Sequence, residues 1–203
     1  MPPSAALSLD QVSKSFATGV QALADVSLQA APGEFVSLVG PSGCGKSTVL
    51  RLVAGLDRPT TGQVEVPAHA TAGSTAFVFQ DATLMPWASV FDNVWLPLRL
   101  RGTSRTAATA LVDPVLARVG LAAFAQAYPA ALSGGMRMRV SMARALVTAP
   151  RVLLMDEPFA ALDEITRHRL NADVLAWQQA GRITTLFVTH SVAEAVFLSQ
   201  RVL

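Results

Sequence analysis

The period of the hydrophobic positions changes several times along the chain. Apolar alternation in Leu7 to Val12, and again in Ala24 to Ala30, predicts two early strands, with Pro32-Gly33 as a turn. Phe35-Val36-Ser37-Leu38-Val39 predicts a buried strand that runs straight into a glycine-rich loop. Lys46 to Ala54 follows as a helix, with Gly55 as its C-terminal cap. Val64 to Val66 and Ala76 to Phe79 are short strand candidates around an alanine-rich loop. A helical stretch comes next: Ser89 caps a helix through Leu100, and Ser104 another through Val119 that stops at Gly120. Gly134 to Val147 is a third helix, ended by Ala149-Pro150. Val152 to Met155 is a strand, Glu164 to Ala180 a helix stopped by Gly181, and Ile183 to Val188 a strand. Ser191 caps a last helix to Leu198. Strand–helix alternation at both ends predicts an α/β fold with a parallel core and a helical insertion from 84 to 132. With no repeats and no long linker, residues 1–203 are expected to form a single domain.

Composition narrows this picture. The 203 residues are 51% apolar, and the mean hydropathy of +0.40 raises the question of a membrane span. The most apolar stretches are interrupted, however. Arg151 to Leu162 contains Asp156 and Glu157, and Ile183 to Leu198 contains His190 and Glu194. No run approaches the roughly 18 uncharged residues that a spanning helix needs. The surplus fits either a partner surface or a composition rich in alanine and leucine. Met1-Pro2-Pro3-Ser4-Ala5-Ala6 has no basic segment before an apolar core, so no secretory signal is expected. The single cysteine allows no internal disulfide and is compatible with a reducing cytoplasm. A net charge of +2 is too weak, and too dispersed, to suggest nucleic acid binding.

Gly40-Pro41-Ser42-Gly43-Cys44-Gly45-Lys46-Ser47-Thr48 contains G-x-x-x-x-G-K-[ST] between a predicted strand and a predicted helix. Its glycines let successive N–H groups point at phosphate oxygens, and the following helix adds its positive end. Lys46 supplies a cation for the terminal phosphates, and Ser47 a hydroxyl for magnesium. Asp156 and Glu157 follow a predicted parallel strand, where carboxylates open onto the ligand crevice. Asp156 can hold magnesium, and Glu157 can polarise an attacking water. Gln80 and His190 close two further strands, the glutamine offering an amide to magnesium or water, the histidine a hydrogen bond to a terminal phosphate. The alternatives at these positions are an acidic turn before Pro158, a polar strand end and a buried core histidine. Leu132-Ser133-Gly134-Gly135-Met136 is a second glycine-rich turn that opens a helix. Two such turns bind either two phosphates or opposite sides of one.

In this order the motifs resemble the nucleotide-binding subunit of ATP-binding cassette (ABC) transporters, over essentially the whole chain. The resemblance implies a P-loop NTPase core, with an N-terminal antiparallel β subdomain, and a helical insertion with the signature motif. Residues 1–83 and 133–203 would form the core, and 84–132 the helical subdomain. It implies that Gly40 to Thr48 bind ATP and that Phe16 stacks on adenine, the alternative being a core aromatic. Asp156, Ser47 and Gln80 would hold Mg2+, and Glu157, His190 and Gln80 would serve catalysis. Asp163 corresponds to the aspartate of the D-loop. Leu132, Ser133, Gly134, Gly135 and Met136 would meet the ATP held by a second copy of the chain, which makes the two turns halves of one site.

The resemblance also has departures. Met136 stands where the commonest signature has glutamine, and the chain ends soon after His190, so that Arg201-Val202-Leu203 reads as a strand cut short and the domain as truncated. In family members the stretch Leu84 to Val94 faces a helix of the membrane subunit; Trp87 is the candidate anchor there, or else a core tryptophan. This stretch and the wording of the motifs look most like importers of nitrate, sulfonate or taurine. The implied partners are integral-membrane permease subunits and, indirectly, a solute-binding protein. The implied location is peripheral, on the cytoplasmic face of the inner membrane. The rivals are a non-transport ABC ATPase, a regulatory nucleotide-binding module with little turnover, and a small-molecule P-loop kinase.

Overall fold

In the computed structural model, which describes residues 5–203, the strands divide between two sheets. Met1 to Ser4, and with them most of the segment read for a secretory signal, lie outside the described residues. The first sheet is antiparallel, in the order β2 (Gln21–Ala30), β1 (Leu7–Ser15), β4 (Thr61–Glu65). The second is parallel, in the order β5 (Thr75–Val78), β6 (Val152–Asp156), β7 (Thr184–Thr189), β3 (Phe35–Val39), β8 (Arg201–Val202). Arg201 and Val202 thus pair with Val36 and Ser37 along the outer edge of β3.

The central strands read as continuous apolar runs because both faces of the parallel sheet are covered. Successive residues of β6 point to opposite sides. Leu153 and Met155 join a core with Phe35, Phe187 and the helices α2 (Val90–Arg99), α3 (Arg105–Arg118), α4 (Gly134–Leu146) and α5 (Glu164–Gly181). Val152 and Leu154 join a second core with Val36, Leu186, the antiparallel sheet and α1 (Lys46–Val53). Leu154 and Phe187 are fully buried. Each such side chain is worth about 1.5–3 kcal/mol.

Serines begin four helices, at the expected caps Ser89, Ser104 and Ser191 and also at Ser133. Ser89, Ser104, Ser133 and, at α6 (Val192–Leu198), Ser191 each accept a hydrogen bond from the backbone N–H three residues on. A cap of this kind contributes about 1 kcal/mol. α5 ends differently from the expectation. Gly181 is its last residue, and the left-handed position falls on Arg182, at φ 47°. The glycine answers to crowding instead: a Cβ there would lie 2.8 Å from Ile183 Cγ1. Between β5 and β6, α2 and α3 pack on α4, and α4 packs in turn on α5.

Candidate nucleotide site

The parallel strands β5, β6, β7 and β3 all end at one edge of the sheet, so Gln80, Asp156-Glu157, His190 and the loop from Gly40 emerge together. A cleft of about 510 Å3 opens there, walled by Phe16, Ser42, Gly43, Gly45, Lys46, Ser47, Thr48, Gln80, Asp156 and Glu157, among others. Phe16 is an exposed wall residue and no part of the core, and the Lys14 ammonium lies 5.3 Å from its ring centroid.

The loop itself depends on two left-handed glycines, Gly43 at φ 80° and Gly45 at φ 101°. Gly45 has a second constraint, because a Cβ would sit 2.5 Å from the carbonyl oxygen of Ala22 on β2. The antiparallel sheet therefore lies directly against the loop. Pro41, Ser42 and Cys44 face outward, and Gly40 is half-buried at the end of β3. The buried Lys46 ammonium donates to the carbonyl oxygens of Gly40 (2.7 Å) and Pro41 (2.8 Å). Both partners are neutral, which leaves the positive charge available to an anion.

Ser47 Oγ donates to Asp156 Oδ1 at 2.9 Å. Burial pushes the Asp156 carboxyl above the usual carboxylate range; the Ser47 hydrogen bond opposes this, and the neighbouring Glu157 charge adds to it. Two hard oxygens, one of them anionic, suit a magnesium ion that keeps waters and phosphate oxygens as its other ligands. Among the described residues no group of three or more His, Cys, Asp or Glu gathers as a metal cage.

Glu157 has a left-handed backbone, φ 45°, with its N–H bonded to the Val188 carbonyl at 2.9 Å. A non-glycine residue in that region stores about 1–3 kcal/mol, a strain found most often at functional sites. The turn carries its side chain out of the strand to His190, with Nδ1 3.3 Å from Glu157 Oε2. His190 is not a core histidine, since its side chain is 56% exposed. Gln80 is exposed and lines the same cleft.

The second glycine-rich turn stands apart from this cleft, none of whose walls comes from Leu132 to Met136. Ser133 and Gly134 are exposed, and Leu132 is buried. Gly135 is required by packing, as a Cβ there would meet Thr166 Cγ2 at 2.6 Å. The side chain of Met136 turns partly inward against the core. It therefore fills space in its own domain, which is more than the absence of a glutamine amide suggests. Asp163 is exposed and caps α5, accepting from Thr166 N–H at 2.9 Å.

Three further residues join the site through contacts that sequence spacing does not reveal. Arg144 donates to the carbonyls of Ala82 and Thr83 and to the Thr83 hydroxyl, tying the segment after Gln80 to α4. Asn93, fully buried, holds the turn from Met85 to Ser89. That turn presents Trp87 to solvent at 76% exposure, so Trp87 is not a core residue either. Glu194, in a Ser191-x-x-Glu194 pattern that reads as simple capping, reaches the end of β7 instead.

The model of a family described as ABC transporter matches residues 23–160. The chain is 50% identical over 185 residues to an aliphatic sulfonates import ATP-binding protein of Nocardia farcinica, covering 91% of this chain and 71% of that protein. It is 46% identical over 186 residues to a nitrate import ATP-binding protein of Synechocystis sp., covering 90% and 70%. It is 46% identical over 181 residues to a taurine import ATP-binding protein of Pseudomonas aeruginosa, covering 87% and 68%. Among solved structures it resembles a dimeric ATP-binding cassette in a post-hydrolysis state bound to ADP and Pi. There the TM-score is 0.85 at 32% identity, over 97% of this chain and 92% of that one.

Proposed function

The chain belongs to the ABC transporter family, and from that premise we propose that it is the ATPase subunit of an importer for a small solute of the nitrate, sulfonate or taurine kind. It binds and hydrolyses ATP, as the family and its structural relatives do. The observation that supports the site best is the convergence of the Lys46 loop, the Ser47–Asp156 pair and Glu157 on one cleft at neighbouring strand ends. In this reading two copies close head to tail around ATP, and separate integral-membrane permease subunits receive the motion. A solute-binding protein delivers the cargo. No helix of the described residues is long and apolar enough to cross a membrane; in this reading the permease holds the chain at the inner face.

The chemistry follows from the donors and acceptors around the cleft. Backbone N–H groups of the loop and the N-terminal end of α1 hold the phosphates, with the Lys46 charge on the terminal ones. Ser47 and Asp156 are the residues that would hold Mg2+, which neutralises charge on the phosphates when bound. Phe16 offers a ring face to adenine. Glu157 accepts a proton from the water that attacks the terminal phosphorus. The bond to the bridging oxygen breaks, giving ADP and inorganic phosphate. His190 donates to the Glu157 carboxylate and directs it. In the opposite copy, the Ser133 oxygen already accepts from Met136 N–H, so its hydroxyl proton is the part left to donate to a phosphate oxygen. ATP is bridged between copies and ADP is not, so hydrolysis weakens the dimer.

Glu157→Gln tests this reading. The variant is expected to bind ATP with near wild-type affinity, to accumulate as an ATP-dependent dimer on size exclusion, and to lose turnover. Wild-type turnover in Glu157→Gln refutes the assigned role. A multi-span permease and a solute-binding protein encoded beside this chain would identify an importer, and an isolated gene would speak against one.

A further inference from the structure

Next to the cleft, polar groups at the end of β7 close on one another around Glu194. In a capping box the serine hydroxyl takes the N–H of the glutamate, and the glutamate carboxylate reaches back to the serine N–H. Only the first half forms here: Ser191 Oγ accepts from Glu194 N–H at 3.3 Å. The Ser191 N–H goes instead to Thr189 Oγ1 at 3.0 Å, and the Thr189 hydroxyl donates to Glu194 Oε2 at 2.5 Å. The other carboxylate oxygen faces Arg167 Nε at 3.7 Å, and Arg167 Nη2 donates to the Leu162 carbonyl at 2.9 Å.

Glu194 is only 8% exposed. A charge buried that far needs partners, and leaving it unpaired is strongly destabilising. The partners of this carboxylate are the hydroxyl of Thr189, which precedes His190, and, at ion-pair distance, Arg167, whose Nη2 holds the Leu162 carbonyl in the segment that leads into Asp163. His190 itself is largely solvent-exposed, so packing does not set its direction. That direction comes from the backbone at 189–191 and from the 3.3 Å contact with Glu157. Glu157 in turn hangs by its N–H from the Val188 carbonyl. Val188 is held inside β7 by strands on both sides, whereas His190 lies just past the end of the strand, and Glu194 ties that end down.

We propose that Glu194 is a positioning residue for ATP hydrolysis: through Thr189 and Ser191 it sets the turn that aims His190 at Glu157, and through Arg167 it fixes that turn to the segment before Asp163. The proposal rests on the roles given above to Glu157 and His190. Without its acceptor the Thr189 hydroxyl is freed, the turn loosens, and the His190–Glu157 contact lengthens. Nucleotide binding, which uses the loop on β3, is left intact.

The test is steady-state ATP turnover of the purified chain carrying Glu194→Met, Thr189→Val or Thr189→Ser, each alone and combined with His190→Ala, with thermal melts as a folding control. Glu194→Met and Thr189→Val are expected to lower kcat about tenfold or more with KM for ATP little changed, a factor of ten being about 1.4 kcal/mol of barrier. Thr189→Ser keeps the hydroxyl and is expected to stay within about twofold of wild type. In the His190→Ala background, Glu194→Met is expected to lower kcat no further, because the residue it acts through is gone. The same fractional loss in both backgrounds makes Glu194 a support of the fold alone and overturns the proposal. So does wild-type kcat in a folded Glu194→Met or Thr189→Val chain, and Thr189→Val decides the matter if Glu194→Met does not fold. Wild-type kcat in His190→Ala is a separate result, which overturns the reading of the site itself.

Discussion

Replacing Asn93 tests how the turn below Trp87 is held. Asn93 is fully buried on α2. Its Oδ1 accepts from Met85 N–H at 2.8 Å, and its amide nitrogen donates to the carbonyls of Met85 (3.2 Å), Ala88 (3.1 Å) and Ser89 (3.0 Å). Ser89 O keeps the backbone N–H of residue 93 in any variant, at 2.9 Å, and Met85 O keeps Ala88 N–H, at 3.2 Å. Asn93→Ala therefore takes the side-chain partner from Met85 N–H and from Ala88 O. At about 1 kcal/mol net per lost bond the destabilisation is about 2 kcal/mol. For a chain of this size that lowers Tm by about 4–8 °C. Asn93→Asp is the sharper probe. It keeps an acceptor for Met85 N–H, but it points a buried carboxylate at three carbonyl oxygens, to which it has nothing to donate. At pH 7 it is expected to melt below Asn93→Ala. Its folded-state pKa is raised, so the deficit relative to Asn93→Ala shrinks as the pH falls and the carboxyl takes up a proton. Circular dichroism melts at two pH values measure both effects. An Asn93→Asp chain that melts at or above Asn93→Ala at pH 7 refutes the assignment of those donors.

Three other outcomes are expected. Gly45→Ala places a Cβ against the Ala22 carbonyl at a left-handed φ, so it is expected to cost more than about 1 kcal/mol in a denaturant melt and to weaken ATP binding; wild-type affinity in that variant contradicts the close approach. Cys44 is exposed within the phosphate loop, so a thiol alkylator is expected to inhibit turnover by steric block, with ATP slowing the reaction; equal alkylation rates with and without ATP oppose that placement. The hydrogen bond from Thr166 N–H holds the Asp163 carboxyl below its usual value, so its stabilisation of α5 is present above about pH 4 and is lost as the pH falls through the lowered pKa. Asp163→Asn is expected to keep the cap and flatten that acid limb, and Asp163→Ala to lower Tm at neutral pH; an unchanged acid limb in Asp163→Asn argues against this source.

What the sequence made legible was mostly local chemistry. Ser89, Ser104, Ser133 and Ser191 announce helix starts because a side-chain oxygen serves N–H groups within one turn of itself. The run from Val152 to Met155 announces a doubly covered strand because its two faces enter two cores. The loop from Gly40 is readable because its function requires glycine, lysine and serine at fixed spacing. Contacts between distant segments were hidden. Gly181 looked like a helix stop, yet crowding by Ile183 is what demands it. Ser191 reads as a helix cap, and only the folded chain shows the Glu194 carboxylate meeting Thr189 and Arg167 at the end of β7. Arg144 is one of several arginines on α4, and nothing in its spacing marks it as the one that grips Ala82 and Thr83.

The strand order has a mechanical consequence. The loop at Gly40, the Asp156-Glu157 pair and His190 issue from β3, β6 and β7, each of which has a hydrogen-bonded neighbour on both sides. Gln80 issues from β5, which among the described residues is paired only along β6. Most of the chemistry thus sits on the doubly paired middle of the slab, while Gln80, beside the segment leading to Trp87, hangs from its margin. If two copies close and reopen as proposed above, that margin can shift while the strands that carry Lys46, Asp156 and Glu157 stay in register, so reacting and moving need not compete for the same backbone.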